Sequence, residues 1–307
     1  RLGPAGTNAN FQILSGVEIR STGDLTLSQD WNLKDSRAGG EAGVLTMRAD
    51  GNLNINNNLS DGFNVATPLN GTAPATLRAD DSWSYRLVAG ADRAAANPLA
   101  VKPGDKDFTL AASKLIRTGT GDIRIASGRD IKLGNNTSAI YSAGRAAATL
   151  ANFTVPDSAQ FSQGDGDIVL AALSDITSPK RSLQLYSNWL FRQGRLNSDG
   201  TAYETNLQPA WWVRFDQFQQ GVGALGGGDV SLLAGGKMEN VSASTPTQAR
   251  MDSLTPNAAA LRKTGGGSVR VETGGDLLGG QYYADNGELV IRAGGKIDTG
   301  EKVGTGV

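Results

Sequence analysis

Residues 267–299 read GSVRVETGGDLLGGQYYADNGELVIRAGGKIDT, and this stretch contains one pattern twice, 20 residues apart. Each copy has a glycine, then two apolar residues separated by one position, and a third apolar residue eight positions after the first. Val269 is followed in this way by Leu277, and Leu289 by Ile297. Alternation with a period of two is typical of a β-strand with one buried face. The stretch therefore predicts short strands separated by tight corners.

The same pattern occurs seven times along the chain, and six copies carry a glycine two positions before the first apolar residue. The seven pairs are Val17 and Leu25, Leu45 and Leu53, Ile123 and Ile131, Ile168 and Ile176, Val230 and Met238, Val269 and Leu277, and Leu289 and Ile297. Corners such as Thr273-Gly274-Gly275-Asp276 are too short for a helical crossover, and we expect glycine to supply a positive φ there. A chain that turns such corners and continues forward predicts stacked coils.

We therefore predict an all-β fold, a right-handed parallel β-helix with loop and short-helix insertions, in which each strand pairs with its equivalent one coil away. One β-helix is expected over residues 1–307, with insertions at about 60–105 and 179–226. Phe108–Leu110 with Ile116 and Leu183–Leu185 with Phe191 are interpreted as weakened copies. A β-sandwich or propeller is the alternative. The residues between the apolar pairs are expected to face water: Glu18, Thr46, Arg124, Ser231 and Arg270.

The composition limits the chemistry that this chain can perform. It has no cysteine and no histidine, which excludes disulfides, thiolate and histidine catalysis, and most zinc and copper sites. Its 29 basic and 30 acidic residues give a formal charge of −1 without a basic run, so no nucleic-acid partner is expected. We also expect no cofactor, no membrane span and no export signal within the chain, which opens and closes inside a repeat and is interpreted as a fragment of a longer protein.

Carboxylates are the main candidates for a metal or catalytic site. Asp165 and Asp167 resemble one turn of a calcium-binding nonapeptide repeat, but no second turn follows, so we interpret them as a polar corner and predict no metal. Aspartate also recurs just before an inward apolar residue, which indicates a structural role and no catalytic residue. These positions are Asp24, Asp122, Asp130, Asp167, Asp175, Asp229 and Asp276.

The insertion at about 179–226 is the aromatic-rich part of the chain. Trp211, Trp212, Arg214 and Phe215 are predicted as partner contacts, because aromatic and arginine side chains are favoured at interface centres and stack on sugars. The alternative is that the rings anchor the insertion to the coil.

Several segments resemble the distal part of large exoproteins of the filamentous haemagglutinin type. The distinctive segment is AWWVRFDQFQQGVGALGGGDV at 210–230; the others are SWSYRLVAGAD at 82–92, IRTGTGDIRIASGRDIKLG at 116–134, GGGSVRVETGGDLLGG at 265–280 and RAGGKI at 292–297. The resemblance covers most of the chain, but the amino-terminal secretion domain of that family is missing from it.

The resemblance implies a non-catalytic segment of a secreted, fibrous adhesin on a bacterial cell surface, with roles in adhesion, biofilm formation or cell contact. It implies an outer-membrane two-partner secretion transporter for the parent chain and a host or bacterial surface glycan or protein as receptor. Two alternatives stay open. A β-helical polysaccharide lyase or hydrolase would show a long groove lined by several Asp, Lys and Arg residues, and a self-assembling filament subunit would associate end to end.

Overall fold

The structure is a computed structural model that describes residues 15–299, apart from 38, 65–75, 136, 149–157, 181–188, 205–206 and 220. The described chain forms a stack of eight coils, in which long parallel sheets follow the axis. Besides strands and turns, it contains short 3-10 helices at Phe215–Gln217 and Ala258–Ala260. The predicted all-β parallel β-helix is confirmed. At the usual spacing of parallel strands, the first and eighth coils lie about 34 Å apart along the axis.

Three parallel sheets form the coils. Sheet one contains β1 (Ser15–Ser21), β4 (Gly43–Ala49), β7 (Ser84–Ala89), β10 (Ile123–Ser127), β15 (Ile168–Ala172), β20 (Val230–Ala234), β25 (Val269–Thr273) and β28 (Leu289–Ala293). Sheet two contains β2 (Leu25–Leu27), β5 (Leu53–Ile55), β8 (Phe108–Leu110), β11 (Ile131–Leu133), β16 (Ile176–Thr177), β21 (Met238–Glu239), β26 (Leu277–Leu278) and β29 (Ile297–Asp298). Sheet three contains β3 (Trp31–Asn32), β6 (Leu59–Ser60), β9 (Leu115–Thr118), β12 (Ala139–Ser142), β19 (Val222–Ala224), β22 (Ala243–Thr245) and β27 (Tyr282–Ala284).

The core consists of columns of apolar side chains that run through the coils. Equivalent residues pair in register from coil to coil, so that Ile125 lies between Leu87 and Leu170. Burying each such side chain contributes about 1.5–3 kcal/mol. The two columns of sheet one are Val17, Leu45, Tyr85, Ile123, Ile168, Val230, Val269 and Leu289, and Ile19, Met47, Leu87, Ile125, Leu170, Leu232, Val271 and Ile291.

The outward positions agree with the sequence, with one correction. Glu18 and Arg270 are exposed, and Arg124 and Ser231 are half-buried, but Thr46 is only 7% exposed. Thr46 lies between Glu18 and Arg86 in its outward column, and these longer side chains flank it.

Glycine at the corners has a different role from the one expected. Gly274 and Gly275 do not have a positive φ. A Cβ atom on Gly274 would instead lie 2.2 Å from the carbonyl oxygen of Gly235, and one on Gly294 would lie 2.2 Å from that of Gly274. Because the corners stack this closely, a side chain there would collide with the backbone of the previous coil. The repeated glycines thus permit close stacking.

The predicted insertion at 60–105 is wrong in part, because it contains the coil strand β7. The chain leaves the coil twice in this region, between the bridge partners Phe63 and Leu77 and between Ala91 and Val101. Because of the second of these excursions, Phe108 of sheet two follows Tyr85 of sheet one by 23 positions, whereas eight positions separate the equivalent residues of the sequence repeat. The repeat spacing therefore missed β7. The weakened copy at Phe108–Leu110 and Ile116 belongs to sheets two and three.

The other insertion needs a similar correction. Its end, near residue 226, is wrong, because β19 within it is a coil strand. The coil is also interrupted by a hairpin of β13 (Arg145–Ala146) and β14 (Ser162–Gln163), and by β23 (Thr247–Met251) with β24 (Leu261–Gly265), which the sequence did not predict. Leu183–Leu185 lies outside the described residues, and Phe191 lies in the insertion strand β17 (Leu190–Gln193).

Replacing Ile125 by Asp should lower the free energy of unfolding far more than replacing Arg124 by Ser. Ile125 is 1% exposed, so its replacement loses about 1.5–3 kcal/mol of apolar burial and also buries a carboxylate. Arg124 points outward and pairs with Asp122 at 3.1 Å. Thermal denaturation followed by circular dichroism compares the two variants. Equal losses of stability would contradict the inward and outward assignment.

Candidate functional site

The outer face of sheet three is covered by the segments that leave the coil. β17, β18 (Ala210–Val213), β23 and β24 form a four-stranded antiparallel sheet, here called the side sheet. It joins two separate insertions, because Trp211 of β18 pairs with Arg192 of β17 on one side and with Ala249 of β23 on the other.

A second hydrophobic core fixes this region to the coil. Tyr141, on the outer face of sheet three, packs with Phe63, Phe218 and Phe215, together with Trp189. The rings meet edge to face, with centroid distances of 5.1 Å for Trp189 and Phe218 and 5.5 Å for Tyr141 and Phe218. Aromatic pairs of this geometry stabilise beyond the area they bury. The aromatic richness of the insertion is therefore largely structural.

Two of the four predicted partner contacts lie inside this arrangement. Phe215 is 1% exposed, and Trp212 is 4% exposed between Phe161 and Phe191. Successive residues of a strand point to opposite faces, and here both faces of β18 are packed. The expectation that Trp212 and Phe215 face a partner is therefore wrong. Their positions agree with the alternative, in which the rings anchor the insertion to the coil.

The other two predicted contacts, Trp211 within β18 and Arg214 directly after it, are half-buried. The indole N–H of Trp211 donates to Thr247 Oγ1 at 3.1 Å. Arg214 donates two hydrogen bonds, of 2.9 and 2.6 Å, to the carboxylate of Asp216. Each keeps part of its surface accessible, but its polar group already has a partner within the protein.

Arg117 is a buried cation that the sequence did not single out. It is 2% exposed, donates to Ser60 Oγ at 2.7 Å and to Tyr141 Oη at 3.3 Å, and lies 4.1 Å from the ring centroid of Phe63. Burial raises the pKa of Tyr141. The RTGTG context of Arg117 carries no sign of this burial, because its aromatic partners, Phe63 outside the coil strands and Tyr141 in β12, are distant in the sequence.

The seven recurring aspartates have one shared role. At each corner the chain leaves the sheet, and the carboxylate Oδ1 accepts the backbone N–H that the next coil presents there. The acceptor and donor residues, with distances, are Asp24 and Asn52 at 2.7 Å, Asp122 and Asp167 at 3.1 Å, Asp130 and Asp175 at 3.2 Å, Asp167 and Asp229 at 3.0 Å, Asp175 and Lys237 at 2.9 Å, Asp229 and Ser268 at 2.7 Å, and Asp276 and Lys296 at 2.9 Å.

Asp165 and Asp167 have different partners. Asp167 belongs to the corner column, whereas Asp165 accepts backbone N–H groups from Gly226, at 2.9 Å, and Gly228. Within the described ranges, no group of three or more acidic residues is placed to hold a metal ion.

An ionic cluster lies along sheet two. Asp107 accepts hydrogen bonds from Arg129 at 2.7 and 2.6 Å and from Lys132 at 2.6 Å. Burial acts to raise the pKa of Asp107, but the hydrogen bonds from both cations outweigh it and lower the pKa to about 2. A carboxylate that stays ionised at all moderate pH values is not suited to proton transfer.

The outer face of sheet one carries an apolar groove of about 740 Å³. Its floor includes Ala126, Ala171 and Leu233, which are register partners in coils four to six, and Leu173 beside it is 47% exposed. The loop at 91–101 covers one end of this row of register partners, where Leu99 and Val101 pack on Val88 and Ala126. We call the feature the sheet-one groove.

Charges close the other end of the sheet-one groove. Glu272 follows Leu233 in the same outward column and pairs with Arg270 at 2.9 Å and Arg292 at 2.7 Å. Hydrogen bonds from these two arginines lower the pKa of Glu272. The groove thus offers apolar surface beside a group with one net positive charge.

Replacing Asp175 by Ala should reduce the free energy of unfolding by about 0.5–1.5 kcal/mol, because the N–H of Lys237 loses its acceptor. Asp175→Asn keeps a carbonyl oxygen and should retain most of the stability. Denaturant titration measures both variants. An alanine variant as stable as the parent protein would contradict the acceptor role of the corner carboxylates.

Comparison with known proteins identifies no relative: no family model, curated protein or solved structure matches this chain. None of the helical segments in the described ranges has the length and apolar character needed to cross a membrane. The surfaces of the fold are therefore the basis for assigning a function.

Proposed function

We propose that this chain is a non-catalytic structural segment of a secreted, fibrous adhesin on a bacterial cell surface, which carries partner-binding surfaces away from the cell. The observation that carries the proposal is the unbroken stack of eight coils, in which insertions leave the sheets without interrupting the pairing. A stack of this kind is a rigid spacer, because every coil is fixed by its neighbours.

The resemblance to filamentous haemagglutinin-type exoproteins supports the same proposal. The distinctive segment 210–230 runs from the side sheet through the second core to β20, so its aromatic residues have a packing role in this fold. The absence of cysteine suits export of an unfolded chain, and we propose a two-partner secretion transporter in the outer membrane as the partner of the parent chain. End-to-end association of coils is a further proposed contact.

The chemistry of the sheet-one groove supports adhesion over a lyase or hydrolase. The rival predicts a groove lined by several Asp, Lys and Arg residues. Among the described residues that line the sheet-one groove, Glu272 is the single carboxylate, and it is paired with two arginines. Exposed apolar surface with a charged margin is typical of protein interfaces. We therefore propose the sheet-one groove as the main partner surface and a surface protein as its receptor, with Trp211 and Arg214 as a smaller second contact.

A double variant, Leu173→Asp and Leu233→Asp, should weaken binding to receptor-bearing cells about 30-fold or more, the loss expected for a hot spot of 2 kcal/mol. A control double variant, Thr109→Asp and Thr177→Asp, adds the same two negative charges on the polar face of sheet two and should bind like the parent protein. Trp211→Ala should have a smaller effect. Binding of labelled protein to bacterial and host cells measures all three, with circular dichroism as the folding control.

Two results would contradict different parts of this proposal. Full binding by the folded Leu173→Asp and Leu233→Asp double variant would reject the sheet-one groove as the contact surface. Absence of binding by the parent protein to any bacterial or host surface would reject the adhesin function itself.

A further inference from the structure

Asp165 occupies a junction of three segments. It follows the hairpin of β13 and β14 and precedes the coil strand β15. Its Oδ2 atom accepts the N–H of Gly226 at 2.9 Å, and its Oδ1 atom accepts the N–H of Gly228, in the joint that leads from β19 to β20. The hydroxyl of Ser142, at the end of β12, lies 3.0 Å from Oδ2. One carboxyl group therefore connects the hairpin, the joint and sheet three.

The hydrogen bonds at this junction depend on where the hydroxyl hydrogen of Ser142 points. Ser142 has a single hydroxyl hydrogen, and Ser142 Oγ lies 2.7 Å from the carbonyl oxygen of Gly166, closer than to Asp165. If the hydrogen points to Gly166, Ser142 Oγ presents lone pairs to Asp165 and needs a donor there. A protonated Asp165 supplies that donor, and all polar groups are then satisfied.

An ionised Asp165 does not satisfy the same set of groups. The serine hydrogen would have to turn from Gly166 to the carboxylate, which leaves the Gly166 carbonyl without the donor that the structure gives it. If the hydrogen stays on Gly166, two oxygen atoms with lone pairs face each other at 3.0 Å. Either outcome costs one hydrogen bond at the junction.

Among the described residues, no cation forms a salt bridge with Asp165. Arg145 of β13 is paired with Asp81 at 3.5 Å. The neighbouring corner column contributes only carboxylates, Asp122, Asp167 and Asp229, which accept backbone N–H groups. Negative charges nearby disfavour a further one.

We propose that Asp165 carries a proton in the folded protein and donates it to Ser142 Oγ, forming an acid-stabilised latch that holds the hairpin and the Gly226–Gly228 joint on the coil. Loss of the proton weakens the latch by breaking the chain of hydrogen bonds that ends at Gly166.

The direction of the pH dependence follows from the pKa. Burial raises the pKa of Asp165 from its usual 3.8 to about 7, although the N–H groups of Gly226 and Gly228 act to lower it. Because the pKa is higher in the folded than in the unfolded protein, the stabilisation is complete below the unfolded value. It is lost as the pH rises from about 4 to about 7.

Ser142→Ala gives the sharpest test, because the two possible hydrogen positions predict opposite signs. If Asp165 donates to Ser142, removing that acceptor lowers the titration midpoint of Asp165, by about one pH unit for one hydrogen bond of ordinary strength. If Ser142 donates to a carboxylate, its removal raises the midpoint. NMR of the side-chain carboxyl carbon measures the midpoint, and Asp165→Asn assigns the signal. Ser127→Ala, which removes a hydroxyl bonded to Lys106 O elsewhere in the coil, is the control and should leave the midpoint unchanged.

A parent midpoint below about 4, or a rise in Ser142→Ala, would overturn the proposal. If Ser142→Ala fails to fold, the melting temperatures of the parent protein and Asp165→Asn between pH 5 and 8 decide the question. The parent protein should lose stability relative to the asparagine variant as the pH rises. Parallel curves would overturn the latch.

Discussion

Buried backbone N–H groups must find acceptors, and in a stack of coils this constraint is met largely between neighbouring coils. Within the strands, the three parallel sheets meet it directly. At the corners the peptide groups turn away from the ladder, and a carboxylate replaces the missing carbonyl, as Asp229 does for the N–H of Ser268. The side chains of the recurring aspartates thus extend the hydrogen bonding between coils from the sheets into the corners.

Close stacking at the corners imposes a second requirement, which glycine meets. A Cβ atom on Gly166 would lie 2.2 Å from the carbonyl oxygen of Gly121. A Cβ atom on Gly228 would lie 2.5 Å from the carbonyl oxygen of Gly166. A larger residue would force the coils apart and lengthen the corner hydrogen bonds. Glycine and aspartate therefore recur together, because one allows the approach that the other uses. The chain leaves the coil between strands to form the insertions and returns with the pairing of the coil strands intact.

The sequence was sufficient for the parts of the fold that repeat. Alternation and eight-residue spacing predict sheets one and two, because Ile123 and Ile131 occupy the same places in their coil as Val269 and Leu277. Sheet three was missed, since strands such as Leu59–Ser60 are too short to show a period. The strand β7 was missed because an insertion changes the spacing after it.

The surfaces could be predicted less well, because they depend on contacts between distant insertions. Trp212 and Phe215 looked like exposed contacts, yet Trp212 meets Phe161 of another insertion and Phe215 meets Phe63. The sheet-one groove was not foreseen for a similar reason. Its floor combines Ala126, Ala171 and Leu233, which are far apart in the sequence and meet only through the stacking of coils.

Residue-resolved hydrogen–deuterium exchange tests the central account most directly. We predict that the corner amides of Lys237, Ser268 and Lys296 exchange as slowly as the strand amides of the same coils. These three amides lie outside the strands, but each donates a hydrogen bond to an aspartate of the previous coil. Fast exchange of these amides beside protected strands would contradict the role of the aspartate column. Fast exchange throughout β10, β15 and β20 would contradict the stacked coils themselves.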